Sequence, residues 1–279
     1  MELSDNGPLQ EADRVRSSVP GLFPAVLFRG DFVNLKEFFQ ACPKAALGFS
    51  GGVDSAYLLY AAVDAGADVR PYFVKTAFQP LFELEDARRL CDQLGVELTV
   101  VELDVLTVPQ VRENPANRCY HCKRALFGAL KERALQEGYS VLLDGTNASD
   151  DAGDRPGMRA LGELSVRSPL RECGLTKAQV RALSKEAGLF TWDKPAYACL
   201  ATRVPTGEEI TPQALAQVEG AEDALFQLGY RDLRVRLFHG VARLQLPSEQ
   251  LERAVREREQ LREALRPWFG TVLLDLQER

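Results

Sequence analysis

Within nine residues, Leu47-Gly48-Phe49-Ser50-Gly51-Gly52-Val53-Asp54-Ser55 runs from an apolar strand through a tight polar loop into the start of a helix. Two adjacent glycines let the backbone turn sharply and bring its N–H groups close to phosphate oxygens. A helix opening near Val53 aims the positive end of its dipole at the same point. Ser50 and Ser55 add hydroxyl donors, and Asp54 can hold a magnesium ion bridging phosphates. This is how a pyrophosphate-gripping loop is written, and it points to chemistry in which ATP is split to AMP and pyrophosphate. The Walker ending Gly-Lys-Ser/Thr is absent, so a kinase or GTPase reading loses its main support. Two glycines alone would suit any glycine-rich turn; the full hexapeptide between a strand and a helix favours nucleotide binding.

The 279 residues suffice for a nucleotide domain plus a smaller one. A formal charge of −6, with acidic and basic residues mixed along the chain, argues for a small or nucleotide-sized substrate over a nucleic acid. Apolar runs are strand-length, far short of a membrane span, and no secretory segment follows Met1. The expected location is the cytoplasm, where thiols stay reduced. The six cysteines are therefore read as core residues, metal ligands or reactive groups before disulfides.

Residues 1–30 are polar and proline-punctuated and read as a flexible arm; a short helix over 34–41 leads into the first strand. The pattern then alternates: strand 45–49, helix 53–65, strand 69–74, helix 81–94, strand 96–103, helix 122–137 and strand 140–144. Such alternation implies an α/β fold, a parallel sheet with helices on both faces. Ligands of such sheets sit at the carboxyl ends of the strands, so Ser50 to Gly52 and Asp144-Gly145-Thr146-Asn147 are expected to face one crevice. A helix over 176–187 follows. The domain boundary is placed between Pro205 and Thr211, giving a nucleotide domain over 31–207 and a small α+β domain over 208–279. The latter reads as helix 212–228, strands 233–238 and 242–246 around a turn at His239-Gly240, helix 248–265 and a last strand 271–276.

Asn117-Arg118-Cys119-Tyr120-His121-Cys122-Lys123 places a Cys-x-x-Cys at a helix start, with Cys199 far downstream. A helix N-terminal turn points both sulfurs the same way and stabilises thiolate. Redox, zinc and iron–sulfur readings are all open on this spacing; a closed zinc site wants four ligands, and His121 is poorly placed to be the fourth. Cys91 reads as packing, and Cys42 and Cys173 carry no assigned role. Asp144 to Asn147 suit nucleotide contacts or form a simple turn. Arg167 either binds phosphate or solvates a loop. Arg234, Arg236 and Arg243 alternate on paired strands, forming an anion site or the polar face of a sheet. Lys75, Asp151, Asp154 and Arg155 are further polar residues at predicted strand ends or loops.

Taken in order, these motifs, together with Arg155-Pro156-Gly157-Met158-Arg159-Ala160, Arg167-Ser168-Pro169-Leu170 and Lys194-Pro195-Ala196-Tyr197-Ala198-Cys199-Leu200-Ala201, resemble the LarE family. These are ATP-dependent sulfur insertases of the PP-loop superfamily that act in nickel-pincer nucleotide cofactor biosynthesis. The resemblance spans nearly everything after the first 30 or so residues. It implies that a carboxylate of pyridinium-3,5-biscarboxylic acid mononucleotide attacks the α-phosphate of ATP, after which sulfur displaces AMP. It implies ATP contacts from Ser50, Gly51, Gly52, Asp54, Ser55, Asp144, Gly145, Thr146 and Asn147, Mg2+ at Asp54, and substrate-phosphate contacts from Arg234 and Arg236. Two family versions differ at the sulfur source. In one, a single cysteine aligned with Cys199 gives up its own sulfur; in the other, three cysteines hold a [4Fe-4S] cluster that delivers sulfide. Cys119, Cys122 and Cys199 match the three-cysteine version. Glu219 and Glu222 are candidates for a family metal or phosphate contact, and the resemblance implies a homo-oligomer supplied by a sulfide or other sulfur donor. The alternatives are a tRNA-thiolating enzyme with the same loop and an ATP-binding regulatory module without turnover.

Overall fold

Four short strands, β1 (Lys44–Gly48), β2 (Asp68–Lys75), β3 (Thr99–Glu102) and β4 (Leu142–Leu143), lie in the order β3-β2-β1-β4, and every pairing is parallel. The computed structural model describes residues 34–150 and 155–277; the arm expected over 1–30 and the acidic pair Asp151 and Asp154 lie outside the described residues. The strands read as continuous apolar runs because both of their faces are covered. Ala45 and Leu47 join Val69, Phe73 and Leu143 in a core with α1 (Leu35–Ala41), α2 (Val53–Asp64), α3 (Leu81–Leu94) and α8 (Lys177–Glu186). Ala46, Tyr72 and Leu142 form a second core with Leu130 and Ala134 of α5 (Arg118–Gln136), which follows the single turn α4 (Pro109–Arg112). The alternation along β1 is the two-residue period of a strand distributing side chains to two layers. Among the described residues, no helix is long and apolar enough to cross a membrane.

After β3 the chain crosses to the far side of β1 to form β4, so the strand order reverses between β1 and β4. That reversal opens a crevice at the carboxyl ends of the two strands. Arg167 extends the sheet by one bridge to Leu143, and α6 (Arg155–Glu163) and α7 (Pro169–Glu172) flank it. Neither helix was anticipated from the sequence, where Arg155 to Ala160 and Arg167 to Leu170 read only as motifs. Helix α5 starts at Arg118, four residues before the expected Cys122. The cause is Arg118 itself, which is buried and donates to Asn114 Oδ1 (2.6 Å) and to the carbonyl of Ala201 (3.0 Å), pinning the first turn.

The second sheet has the order β5-β6-β7, with β5 (Arg234–Phe238) and β6 (Val241–Gln245) antiparallel and β7 (Val272–Leu274) parallel to β6. His239 (φ +49°) and Gly240 (φ +80°) make the two-residue turn; two successive positive φ values match the twist of a hairpin. The single helix expected over 248–265 is two, α10 (Ser248–Arg256) and α11 (Arg258–Leu265). Glu257 breaks them apart with ψ near 16°, its carboxylate drawn to Tyr230 Oη (2.9 Å) and Arg253 Nε (3.0 Å). The core beneath this sheet takes Val218, Ala221 and Leu225 from α9 (Pro212–Gln227) and also Phe78, Val105 and Leu200 from earlier loops. Asp31 to Arg279 accordingly form one unit.

Inside that core lies an ion pair closed to solvent. Arg203 Nε and Nη2 donate to Glu222 Oε1 (2.7 Å) and Oε2 (2.9 Å), and both side chains are at most 1% exposed. The Tyr197 hydroxyl and the Val235 amide (2.8 Å) donate to the same carboxylate, while Arg203 Nη1 reaches the Ala198 carbonyl (2.8 Å). Removing one partner of such a pair strands the other charge in the interior, at a cost of about 3–5 kcal/mol. Glu222→Ala is expected to lose stability on that scale in urea unfolding. Glu222→Gln, which retains an acceptor for the Val235 amide, is expected to lose less.

Candidate active site

The phosphate loop takes its shape from close backbone approaches. Gly51 adopts φ +70°, and a Cβ there would lie 3.0 Å from the Glu83 carbonyl of α3. Gly52 caps α2 in extended conformation and leaves the helix's first N–H groups facing the crevice. Ser50 Oγ and Ser55 Oγ lie 3.2 Å apart, and Ser55 Oγ also donates to the Gly52 carbonyl (3.2 Å). Both hydroxyls therefore sit inside the loop, oriented by it.

Asp144 to Asn147 arrive beside this loop because β4 pairs with β1. A Cβ on Gly145 would lie 2.9 Å from the Ser55 amide, so the two loops touch through backbone. Asn147 is fully buried and its Nδ2 donates to Asp54 Oδ1 (3.2 Å). Asp144 is held by Ser168 Oγ (2.6 Å) and by the Thr146 hydroxyl and amide. Burial nonetheless raises its pKa, with those hydrogen bonds opposing the shift. Beside Ser50 a cavity of about 140 Å³ is lined by Gly48, Phe49, Phe73, Val74, Leu126 and Phe127 among others, an apolar slot suited to a flat purine.

The cysteines of α5 and Cys199 come together across 77 or more residues of chain. Cys119 is exposed, and Cys122 and Cys199 are partly covered. Burial pushes the Cys122 thiol up to about 12, and the charge of Cys199 adds to the rise. Burial likewise raises Cys199, with Arg118 opposing and Cys119 reinforcing the shift. The thiolate stabilisation expected at this helix start is thus outweighed by desolvation at Cys122. Arg118 is the shared neighbour: it donates to Cys119 Sγ (4.0 Å), and its charge favours thiolate at the other two. Among the described residues, no three His, Cys, Asp or Glu side chains converge closely enough to hold one metal ion. A cubane cluster makes a different demand, since each iron takes its own thiolate. The three thiols share the Arg118 guanidinium as a neighbour, and metal binding would supply the deprotonation that burial resists.

Arg234 and Arg236 project from β5 toward the loop that carries Cys199. Arg234 is buried, stacks on the Tyr197 ring at 4.8 Å and donates to the Ala196 carbonyl (2.7 Å); Arg236 donates to the Thr202 carbonyl. Burial, followed by the charge of Arg203, lowers the pKa of Arg234 to about 10. Among the described residues neither arginine has a carboxylate partner at ion-pair distance, which leaves their charge available to an anion. The third arginine of the expected row, Arg243, pairs instead with Asp275 at 3.5 Å. Both acidic candidates of α9 are engaged: Glu222 in the buried pair, and Glu219 accepting from the Leu81 amide at the start of α3 (2.9 Å). Arg167 pairs with Glu172 and covers the Phe38 ring, so its charge is committed to packing.

Three residues reach the crevice that the sequence did not assign to it, Lys194 having been read only as part of a motif. Lys177, first residue of α8, pairs with Asp54. Lys194 joins Asp86 (2.6 Å) and the Gly51 carbonyl (3.5 Å), bridging the segment that leads to Cys199 onto the phosphate loop. Glu83, in the first turn of α3, is raised to about 7 by burial, against the charges of Lys194, Lys75 and Arg203. Each contact joins positions far apart in the chain, so no local pattern predicts the pairing.

No family model matches the chain. It is 40% identical over 228 residues to an uncharacterized protein of Synechocystis sp., covering 80% of this chain and 84% of that one. It is 34% identical over 212 residues to pyridinium-3,5-bisthiocarboxylic acid mononucleotide synthase of Lactiplantibacillus plantarum, covering 75% and 76%. A match to tRNA-specific 2-thiouridylase MnmA of Frankia alni, 32% over 185 residues, spans only 52% of this chain and 51% of that protein.

Glu83 makes the crevice sensitive to pH. Its folded pKa, about 7, lies above the ordinary value of 4.5, so the folded state binds the proton more tightly than the unfolded chain. The stability this contributes is complete below pH 4.5 and is lost as pH rises toward 7. Glu83→Gln is expected to flatten the stability profile across that window and to be more stable than the parent at pH 8, measured by denaturant midpoints.

Proposed function

Since the chain belongs to the LarE family of ATP-dependent sulfurtransferases, we propose that it converts carboxylates of pyridinium-3,5-biscarboxylic acid mononucleotide to thiocarboxylates. The carrying observation is the Lys194 bridge, which sets the segment leading to Cys199 against the phosphate loop. An activating half and a sulfur-supplying half then share one crevice.

In this reading a substrate carboxylate oxygen attacks the α-phosphorus of ATP, the bond to the bridging oxygen breaks, and pyrophosphate leaves. Ser50, Ser55 and the N–H groups at the start of α2 bind the departing pyrophosphate, with Mg2+ held by Asp54 and the phosphates themselves. The Asp54 carboxylate suits that ion because magnesium is usually bound through one or two carboxylates plus phosphate. Asp144, Gly145, Thr146 and Asn147 wall the nucleotide on the β4 side, and the apolar slot beside Ser50 takes the adenine. Arg234 and Arg236 take the substrate's own phosphate. Sulfur then attacks the acyl carbon and AMP leaves, giving the thiocarboxylate.

Cys119, Cys122 and Cys199 would hold a [4Fe-4S] cluster. Such a cluster would supply sulfide-level sulfur to the activated carboxylate. Arg118 offsets the negative charge of the three thiolates. Residues 31–207 act as the activating domain and 208–279 as the substrate domain, in a cytoplasmic homo-oligomer.

Purified protein given ATP, Mg2+ and the pyridinium dicarboxylate mononucleotide is expected to release pyrophosphate and AMP, and Asp54→Ala to abolish release. Bulk tRNA in place of the mononucleotide is expected to give none; release with tRNA alone would overturn the reading in favour of a tRNA thiolase. Prepared without oxygen, the protein is expected to be brown and to lose its colour in Cys119→Ser, Cys122→Ser or Cys199→Ser. A colourless active protein whose Cys199 loses one sulfur on turnover would replace the cluster with sacrificial transfer.

A further inference from the structure

Both carboxylate oxygens of Asp54 already have a partner. Asn147 Nδ2 occupies Oδ1 (3.2 Å), and the Lys177 ammonium occupies Oδ2. The pair is shielded, with Asp54 20% and Lys177 34% exposed in their side chains, so an ammonium already stands where a divalent cation is needed.

The position of Lys177 is built. Its own amide donates to Ser149 Oγ (3.0 Å), and the Ala148 amide donates to the Leu175 carbonyl (2.8 Å), stitching the start of α8 to the loop that carries Asn147. Thr176 and Gln179 close a capping box around the same turn. A cation in the first turn of a helix opposes the helix dipole, and α2 presents its own positive end to the same crevice. With both dipole ends directed here, an ammonium gains from a negative partner and from phosphate most of all.

We propose that Lys177 is a mobile phosphate ligand that also guards the metal position. With the site empty it neutralises Asp54; when magnesium nucleotide arrives, the ion takes Asp54 and Lys177 transfers to oxygens of the pyrophosphate moiety. A divalent cation alone would have to displace the ammonium and remain beside it unshielded, so metal and phosphate bind together and neither binds well first. The inference rests on the proposed pyrophosphate-releasing reaction only in assigning the phosphate to ATP.

The test uses the full-length protein and three probes: Mn2+ alone, magnesium pyrophosphate, and ATP with Mg2+. Binding is measured by calorimetry, with thermal melting to confirm the fold. Lys177→Met is expected to weaken pyrophosphate and ATP by about 10- to 100-fold, the loss of one charge-assisted hydrogen bond. The same variant is expected to bind Mn2+ alone more tightly than the parent, because its competitor is gone. A Lys177–Asp54 pair with no part in phosphate binding predicts the Mn2+ gain without the selective loss of pyrophosphate and ATP. Lys177→Arg, which keeps the charge, is expected to restore most of the pyrophosphate affinity and provides the comparison if the Met variant melts early. Parental pyrophosphate affinity in Lys177→Met, or Mn2+ binding no tighter than the parent's, would overturn the inference and leave the proposed reaction intact. A parent that binds magnesium pyrophosphate but forms no AMP from the pyridinium substrate would overturn the reaction and leave the inference standing.

Discussion

The Arg203–Glu222 pair is the interaction on which the arrangement of the crevice depends. Glu222 gathers a guanidinium, a phenol and the Val235 amide, and Arg203 adds the Ala198 carbonyl, so one buried contact ties the Cys199 loop to α9 and to β5 at once. Two charges without solvent are costly, and only the completeness of their hydrogen bonding makes the site tolerable. Because each bond comes from a different segment, the pair also acts as a register. Displacing the Cys199 loop would break several bonds together, and the thiol is held beside Cys122 and Arg118 by that cooperativity.

Around this anchor the parallel sheet does a second job. The reversal of strand order between β1 and β4 brings two loops distant in the chain within backbone contact, and two glycines are spent on making that contact close. Gly51 lets the phosphate loop turn beneath α3, and Gly145 lets the Asp144 loop rest on the start of α2. Lys194 then closes the third side from the segment leading to Cys199. The crevice is therefore walled by backbone dipoles and committed side chains, while among the described residues Arg234 and Arg236 bind carbonyl or amide oxygens and no carboxylate. Such pre-arranged dipoles stabilise a leaving pyrophosphate without reorganising at the moment of reaction.

Much of this was legible beforehand. Helix α3 follows its apolar period from Leu81 to Leu94, and the hairpin turn follows from His239-Gly240, because both signals are local. Other elements were read imperfectly for identifiable reasons. Strand β4 forms only two ladder residues, fewer than the five expected over 140–144, since it is paired on one side by β1 and bridged on the other at Arg167 alone. The α10–α11 break is set by the tertiary partners of Glu257, and the early start of α5 by a contact from Arg118 to Ala201. The thiolate expected at the start of α5 is not what the packed structure favours at Cys122. A helix start favours thiolate, and only the packed surroundings reveal that burial outweighs it at Cys122.

The amino-acid sequence by itself determined the chemistry on offer: a strand, glycine loop and helix of the kind that suits a phosphate group, a Cys-x-x-Cys with a third cysteine downstream, and alternating arginines on a hairpin. Those are short-range patterns, and short-range physics is sufficient to write them. The tertiary structure alone decided which groups meet. It placed Lys177 on Asp54, Lys194 on Gly51, Glu83 among three cations, and Glu222 on Arg203 in place of a metal. Pairings of this kind, which span up to 143 positions of chain, depend on how the layers close and on where water is excluded. Charge and burial then acquire their meaning from neighbours that no local pattern encodes.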